Sequence, residues 1–149
     1  MDLNNFATNV ELSEEGVWCP VDAVTEIRVA RYGNRKFQRL LQKLSAPYKV
    51  QMERQMMKDD VAEAVFIEAL ATAILVDWRG MTENGEPLPY SKENAIAVLS
   101  NPKLKDFRDL VVSLSQDAEM FRDEEVSEAK EKSQSGTDGK SSGDSTTSS

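Results

Sequence analysis

The amino-acid sequence predicts a mainly α fold: a small helical domain with a short N-terminal β-hairpin and a disordered C-terminal tail. Apolar residues recur at helical spacing through most of the chain, whereas alternation with the period of a strand is confined to residues 17–32. The length of 149 residues suits one core. We expect a flexible acidic arm at residues 1–15, a single domain at 16–129 and a disordered tail at 130–149, which contains no apolar side chain.

The hairpin is predicted from β-branched and aromatic residues between positions 17 and 32. Within this stretch Ile27 and Val29 alternate with charged neighbours, as expected for a strand with one buried face. We place the turn of the hairpin near Asp22 and Ala23.

A helix is predicted to begin after Asn34, because Asn is a favourable N-cap residue. It should end before Pro47, since proline disfavours helical backbone in the residue before it. Its apolar side is formed by four residues at steps of three and four: Phe37, Leu40, Leu41 and Leu44. The Met-rich segment that follows is expected to form another helical piece.

The strongest helix prediction covers Val61 to Trp78, with Asp59 or Asp60 as its cap. Nearly every face of this stretch is apolar, so the helix is expected to run through the centre of the fold and to end at Gly80. Its polar residues are Glu63, Glu68, Thr72 and Asp77.

Two more helices are predicted beyond the turn signal Asn84-Gly85. Ser91 is placed to cap a short helix, and Pro102 suits the first turn of the last one. The last helix is expected to pack on the central helix through one apolar stripe, formed by Leu104, Phe107, Val111, Leu114, Ala118 and Phe121.

Charge and cysteine content limit the classes of function. The net charge of -8 argues against nucleic acid as the main partner, because binding to phosphates requires an excess of Lys and Arg. The single cysteine, Cys19, cannot form an internal disulfide, which suits a reducing cytoplasm. The N-terminus lacks the pattern of a signal peptide, and no stretch is apolar enough to predict a membrane span.

Catalytic, metal and cofactor sites are not predicted. The chain has no histidine, the commonest general base and zinc ligand at neutral pH. Cys19 lies between Trp18 and Pro20 and is interpreted as a buried structural thiol. The carboxylates of the central helix are interpreted as solvent-facing or ion-paired side chains rather than an acid–base pair, because their spacing turns Glu63 and Glu68 apart.

The charge is unevenly distributed: residues 26–58 hold nine basic and two acidic side chains. Within this region Arg35, Arg39 and Lys43 form a basic stripe on the predicted helix, which could meet an acidic partner or an anionic surface. A solvated helix face is the simpler interpretation, and we favour it. As an alternative function, a small nucleic-acid-binding or regulatory protein would use the basic helix at residues 34–45.

Met52, Met56 and Met57 form a second speculative partner-binding feature. Methionine side chains adapt to varied apolar clients, but they also fill gaps in protein cores. We favour the core interpretation for these three residues.

The order of these signals over about residues 16–129 resembles the tail assembly chaperone family of long-tailed bacteriophages. No single motif is diagnostic, and the resemblance lies in the series. The series comprises Trp18, Arg31-Tyr32-Gly33-Asn34 with Phe37, Asp77-Trp78, the Gly85 turn, Tyr90-Ser91-Lys92-Glu93-Asn94-Ala95, Leu99, Phe107 and Phe121-Arg122.

The resemblance implies a non-enzymatic protein of the host cell cytoplasm during infection, absent from the mature virion. Such a chaperone binds the tape measure protein, keeps it soluble and promotes polymerisation of the tail tube around it. Many family members also have a frameshifted longer product that recruits the tail tube protein. The Ser/Gly/Thr-rich tail departs from the family pattern. The resemblance implies no cofactor, nucleic acid or membrane, and a homo-oligomer is compatible with it.

Overall fold

A computed structural model of the protein describes residues 1–123. The tail predicted to be disordered, residues 130–149, lies outside the described residues. The chain divides into two compact units, one formed by residues 10–118 and the other by residues 1–9 together with the chain from Glu119.

The larger unit begins with helix α1 (Val10–Glu15) and the predicted hairpin. Strands β1 (Val17–Pro20) and β2 (Glu26–Val29) pair antiparallel, with Cys19 opposite Ile27. The Asp22 carboxylate accepts hydrogen bonds from the backbone N–H groups of two residues on the far side of the turn, at 2.9 and 2.8 Å. The position predicted for the turn is therefore confirmed.

The prediction of a mainly α fold with only a short hairpin is wrong, because the central apolar stretch is not one helix. Helix α4 (Asp59–Ala73) stops after residue 73, and strand β3 (Leu75–Arg79) follows. Strand β3 pairs with β2, which gives a three-stranded antiparallel sheet of order β1-β2-β3. The fold is mixed, with helices packed around this sheet.

A β-bulge in β3 explains why this strand resembled a helix in the sequence. Val29 pairs with Leu75 and Arg28 pairs with Asp77, so Val76 is an extra residue on β3. In a regular strand, residues three positions apart point to opposite faces. The extra residue lets both Leu75 and Trp78 point into the core, a spacing that also fits a helix.

Between the hairpin and α4 lie helix α2 (Arg35–Ser45), a 3-10 turn (Ala46–Tyr48) and helix α3 (Lys49–Glu53). The start and end predicted for α2 are confirmed. Helix α4 begins after Lys58, so neither predicted aspartate is its cap; both lie in its first turn, where carboxylates favour the positive end of the helix dipole.

A second hairpin, β4 (Thr82–Glu83) and β5 (Glu86–Pro87), follows the sheet. Its two turn residues, Asn84 and Gly85, have positive φ angles of 54° and 80°, as the sequence signal predicts. Helix α5 (Lys92–Ser100) begins at the Ser91 cap, which confirms that prediction.

The last predicted helix is divided into three parts. A 3-10 turn (Pro102–Leu104) leads into α6 (Lys105–Ser115), and a second 3-10 turn covers Ala118–Phe121. Helix α6 packs on α5 and β2. The last helix contacts the shorter α4 through the Arg108–Glu63 ion pair and packs mainly on β2 and α5, rather than along one long central helix.

The core of the larger unit lies between the inner face of the sheet and the helices. It contains Ile27, Val29, Phe37, Leu70, Ile74, Leu75, Trp78, Leu99 and Val111, each no more than 4% exposed. Burial of these side chains is the main stabilising contribution to the unit. None of the helices within residues 1–123 is long and apolar enough to cross a membrane.

The smaller unit joins the two ends of the described chain. Residues 1–15 were predicted to form a flexible arm, yet they include a 3-10 helix (Leu3–Phe6), which belongs to this unit, and helix α1, which belongs to the larger one. The Arg122 guanidinium donates to the Asn5 carbonyl at 3.2 Å and lies 5.3 Å from the centre of the Phe6 ring. The helical elements within residues 1–15 were not predicted, and the flexibility of this segment stays a prediction.

Candidate partner-binding surface

Helix α2 carries the predicted basic stripe, and Asn34 fixes where this helix begins. The Asn34 carboxamide oxygen accepts a hydrogen bond from the Phe37 N–H at 2.9 Å, as an N-cap residue does. The nitrogen of the same side chain donates to the backbone carbonyl of Ala73 at 3.2 Å. Asn34 therefore ties the start of α2 to the end of α4.

The buried side of α2 is held by an aromatic cluster. Phe37 is 1% exposed, and its ring centre lies 5.1 Å from that of Tyr32 and 6.4 Å from that of Phe66. Aromatic pairs at these distances add to the stabilisation from burial alone. The cluster fixes the rotation of α2 and so determines which of its residues face solvent.

The opposite side of α2 places Arg35, Arg39 and Lys43 in solvent, as their spacing predicts. Helix α2 contains no acidic residue, so these cations have no ion-pair partner within their own helix. The exposure of these cations is equally consistent with a solvated face and with a binding face. Their role in partner binding stays a prediction.

Sequence reasoning missed an open trough along α2. The trough has a volume of about 410 Å³ and is lined by Glu14, Lys36, Arg39, Leu40, Lys43 and Thr72. Lys36 could have been found from its position three residues before Arg39 on the same helix. Glu14 and Thr72 reach the trough from α1 and α4, and no local pattern reveals that contact.

The structure corrects the interpretation of the Met-rich segment. Met52 is 47% exposed and Met56 is 68% exposed, so the interpretation of these two side chains as core filler is wrong. The physical reason is local: α3 has only five residues, and the chain leaves helical geometry at Gln55, which has a positive φ of 55°. Met57 is half-buried.

The carboxylates considered as catalytic candidates lie apart from one another. Glu63 pairs with Arg108 at 2.9 Å, and Glu68 pairs with Lys92 at 3.6 Å. The interpretation of these two as ion-paired side chains is confirmed. Asp77 lies on β3 rather than on the helix, and its carboxylate accepts from the Trp78 N–H at 2.8 Å.

Cys19 is buried, as interpreted from the sequence. Burial raises the pKa of its thiol, and the negative charge of Asp117 raises that pKa further. A thiol with a raised pKa is a weak nucleophile near neutral pH. Within residues 1–123, no three Cys, Asp or Glu side chains are grouped to hold a metal ion.

Comparison with protein families matches residues 32–132, more than half of the chain, to the family described as YdaY prophage protein. The chain belongs to the YdaY prophage protein family. The match begins at Tyr32, so it includes α2, the Met-rich segment and the central core. No curated protein and no solved structure matches the chain.

Membership of the YdaY prophage family makes this a phage-related protein, in agreement with the phage origin that the sequence resemblance implies. The family description names no tail assembly role.

Proposed function

We propose that this protein is a tail assembly chaperone of a phage. It binds the tape measure protein in the host cytoplasm, keeps it soluble and promotes polymerisation of the tail tube around it, and it is absent from the mature virion. Membership of a prophage family supports a phage role in general. The resemblance of the sequence to tail assembly chaperones supports the specific one.

The observation that carries the proposal is a segment between α2 and α4 that exposes three apolar side chains. We call Val50, Met52 and Met56 the methionine patch; their exposed fractions are 59%, 47% and 68%. Apolar side chains clustered in one exposed segment indicate a site for another protein. The unbranched methionine side chains adapt to differently shaped apolar surfaces, which suits a long client with many apolar helices.

The overall charge supports the same role. A protein that covers apolar surface must keep the resulting complex soluble, and a net charge of -8 opposes self-association through mutual repulsion. The basic face of α2 lies next to the methionine patch in the chain, so a client could contact apolar and charged groups in one interaction.

The proposed role is non-enzymatic. The carboxylates that could serve in acid–base chemistry, Glu63 and Glu68, are held in separate ion pairs. The one thiol is buried and has a raised pKa. Binding, rather than turnover, is the activity that these side chains support.

The test is co-expression of the full chain with the tape measure protein encoded by the same prophage. We expect the tape measure protein to remain in the supernatant after ultracentrifugation and to co-purify with the chain. Replacing Met52→Gln and Met56→Gln should remove this effect while leaving the folded structure intact, since both side chains are largely exposed.

A matched control replaces two exposed apolar residues elsewhere, Val21→Thr and Val24→Thr, and should behave like the unmodified chain. An insoluble tape measure protein in the presence of the unmodified chain would refute the chaperone proposal. Equal loss of solubility with both double variants would show that the methionine patch is not the binding surface.

The nucleic-acid alternative is tested on the same protein. Its supporting observation is the exposure of Arg35, Arg39 and Lys43 on one helix. A gel shift with duplex DNA at low salt should show no complex if the chaperone proposal is right. A complex that is lost on changing these three residues to Gln would instead favour the alternative.

A further inference from the structure

The trough along α2 has features that packing alone does not explain. Three of its lining residues, Lys36, Arg39 and Lys43, follow one another at steps of three and four and therefore lie on one side of the helix. Like charges at these spacings destabilise a helix. Within residues 1–123, none of the three forms an ion pair.

The trough extends beyond these cations. Glu14 lines it and also lines a neighbouring depression of about 330 Å³ at the start of α2, where Arg35 is exposed. The cations from Lys36 to Lys43 span about 10 Å along the helix axis. That length corresponds to two turns of a second helix lying alongside.

The uncharged part of the lining limits the chemistry of the occupant. Leu40 offers an apolar contact beside the cations, and Glu14 of α1 also lines the trough. Glu14 reduces the attraction of the trough for a polyanion with a charge on every unit. An amphipathic helix can instead place carboxylates near the cations, an apolar side chain on Leu40 and a hydrogen-bond donor near Glu14.

Thr72 contributes a separate observation. Its hydroxyl oxygen is buried and has no hydrogen-bond partner. An unsatisfied buried polar group is costly, and native structures seldom retain one without a role. Because Thr72 lines the trough, rotation about its Cα–Cβ bond can bring the hydroxyl towards a polar group of an occupant.

We infer that this trough binds an acidic amphipathic helix of the client protein, with three carboxylates at steps of three and four facing Lys36, Arg39 and Lys43. The inference rests on the proposed function and adds to it the chemistry of the client segment. The methionine patch takes apolar groups of the client, and the trough selects an acidic stretch by charge.

The probe is a fluorescein-labelled synthetic helix with three Glu residues at these spacings and one Leu beside them. Binding to the full chain is followed by fluorescence anisotropy at about 0.1 M salt, where charges beyond about 10 Å are screened and the overall negative charge matters little. A peptide with Gln in place of each Glu should bind at least about tenfold more weakly, because it loses the charge-assisted contacts.

The decisive variant is Lys36→Gln with Arg39→Gln and Lys43→Gln. It should weaken binding of the acidic peptide at least about tenfold, which corresponds to the loss of a few charge-assisted hydrogen bonds. Circular dichroism should show an unchanged helix content, because glutamine has a helix propensity close to those of lysine and arginine.

The matched control removes three exposed cations outside the trough, Lys49→Gln, Arg54→Gln and Lys58→Gln. It changes the net charge equally and should bind the peptide within about twofold of the unmodified chain, because long-range charge is screened. Equal weakening by both triple variants, or equal binding of the Glu and Gln peptides, would overturn the inference. Stronger binding of duplex DNA than of the acidic peptide would overturn it as well.

These experiments distinguish a failure of the trough inference from a failure of the chaperone proposal. If the trough variant still keeps the tape measure protein soluble and the acidic peptide never binds, the trough inference is wrong and the chaperone proposal survives. If the peptide binds in the trough but the tape measure protein stays insoluble, the trough binds acidic helices and the chaperone proposal is wrong.

Discussion

Asn34 offers the sharpest test of how the surface helix α2 is positioned. The side chain is 8% exposed, caps α2 through its oxygen and donates to the Ala73 carbonyl through its nitrogen. In the variant Asn34→Ala both contacts are lost. Water has little access to replace them.

The expected loss in free energy of unfolding follows from these two contacts. Loss of an N-cap side chain costs about 1 kcal/mol in free energy of unfolding. Leaving the buried Ala73 carbonyl without a donor costs about 1–3 kcal/mol more. The Arg31 carbonyl also accepts from the Asn34 side chain but keeps its bond from the Asn34 backbone N–H, so it adds little. We expect a total loss of about 3 kcal/mol.

A second variant separates the two contacts. Asn34→Ser keeps a good N-cap oxygen but loses the donor to Ala73, so it should cost about 1–2 kcal/mol. Ser91→Ala, which removes the cap of α5, is the comparison for a cap alone and should cost about 1 kcal/mol.

Urea unfolding, followed by tryptophan fluorescence and circular dichroism, measures all three variants. The slope of the free energy against urea should stay constant, so that midpoints report stability. If Asn34→Ser is as stable as the unmodified chain, the hydrogen bond to Ala73 does not stabilise the fold and the reasoning is refuted.

Two further predictions concern a pair of glycines and the thiol. A Cβ at Gly80 would lie 1.9 Å from the Val24 carbonyl oxygen at a φ of +74°, so Gly80→Ala should cost about 3 kcal/mol or more in urea unfolding. Gly85→Ala meets no atom within 4 Å at a φ of +80° and should cost only about 1 kcal/mol; equal costs would contradict the close approach at Gly80. Because the pKa of Cys19 is raised in the folded protein, its stabilising contribution is fully present below the unfolded thiol pKa of about 8.5 and is lost as pH rises through the folded value. Above about pH 8.5 the unmodified chain should therefore lose stability relative to Cys19→Ala. A difference in free energy of unfolding that stays constant with pH would contradict the burial of the thiol.

The features that the sequence predicts well depend on neighbouring residues. Asn34 and Ser91 each cap a helix through an N–H three residues away, and the Asp22 carboxylate accepts from the N–H groups two and three residues further along its own turn. Signals of this kind act within one turn of the chain. They are visible without knowledge of the fold.

The features that could not be predicted depend on distant parts of the chain. Leu75 and Trp78 have a spacing that fits a helix, and only pairing with β2 makes them part of a strand. The trough requires Glu14 and Thr72 to meet α2, which tertiary packing alone achieves. The exposure of Met52 likewise depends on where a five-residue helix ends.

The bulge at Val76 also constrains how the chain can change in length. Deleting Val76 would leave Leu75 and Trp78 two residues apart, so a regular strand paired with β2 would still point both side chains into the core. An inserted residue, by contrast, would have to widen the bulge or shift the pairing with β2, so insertions between Leu75 and Trp78 should not be tolerated. Length differences among relatives are expected instead at exposed connections such as the Asn84–Gly85 turn, where an added residue displaces no core contact.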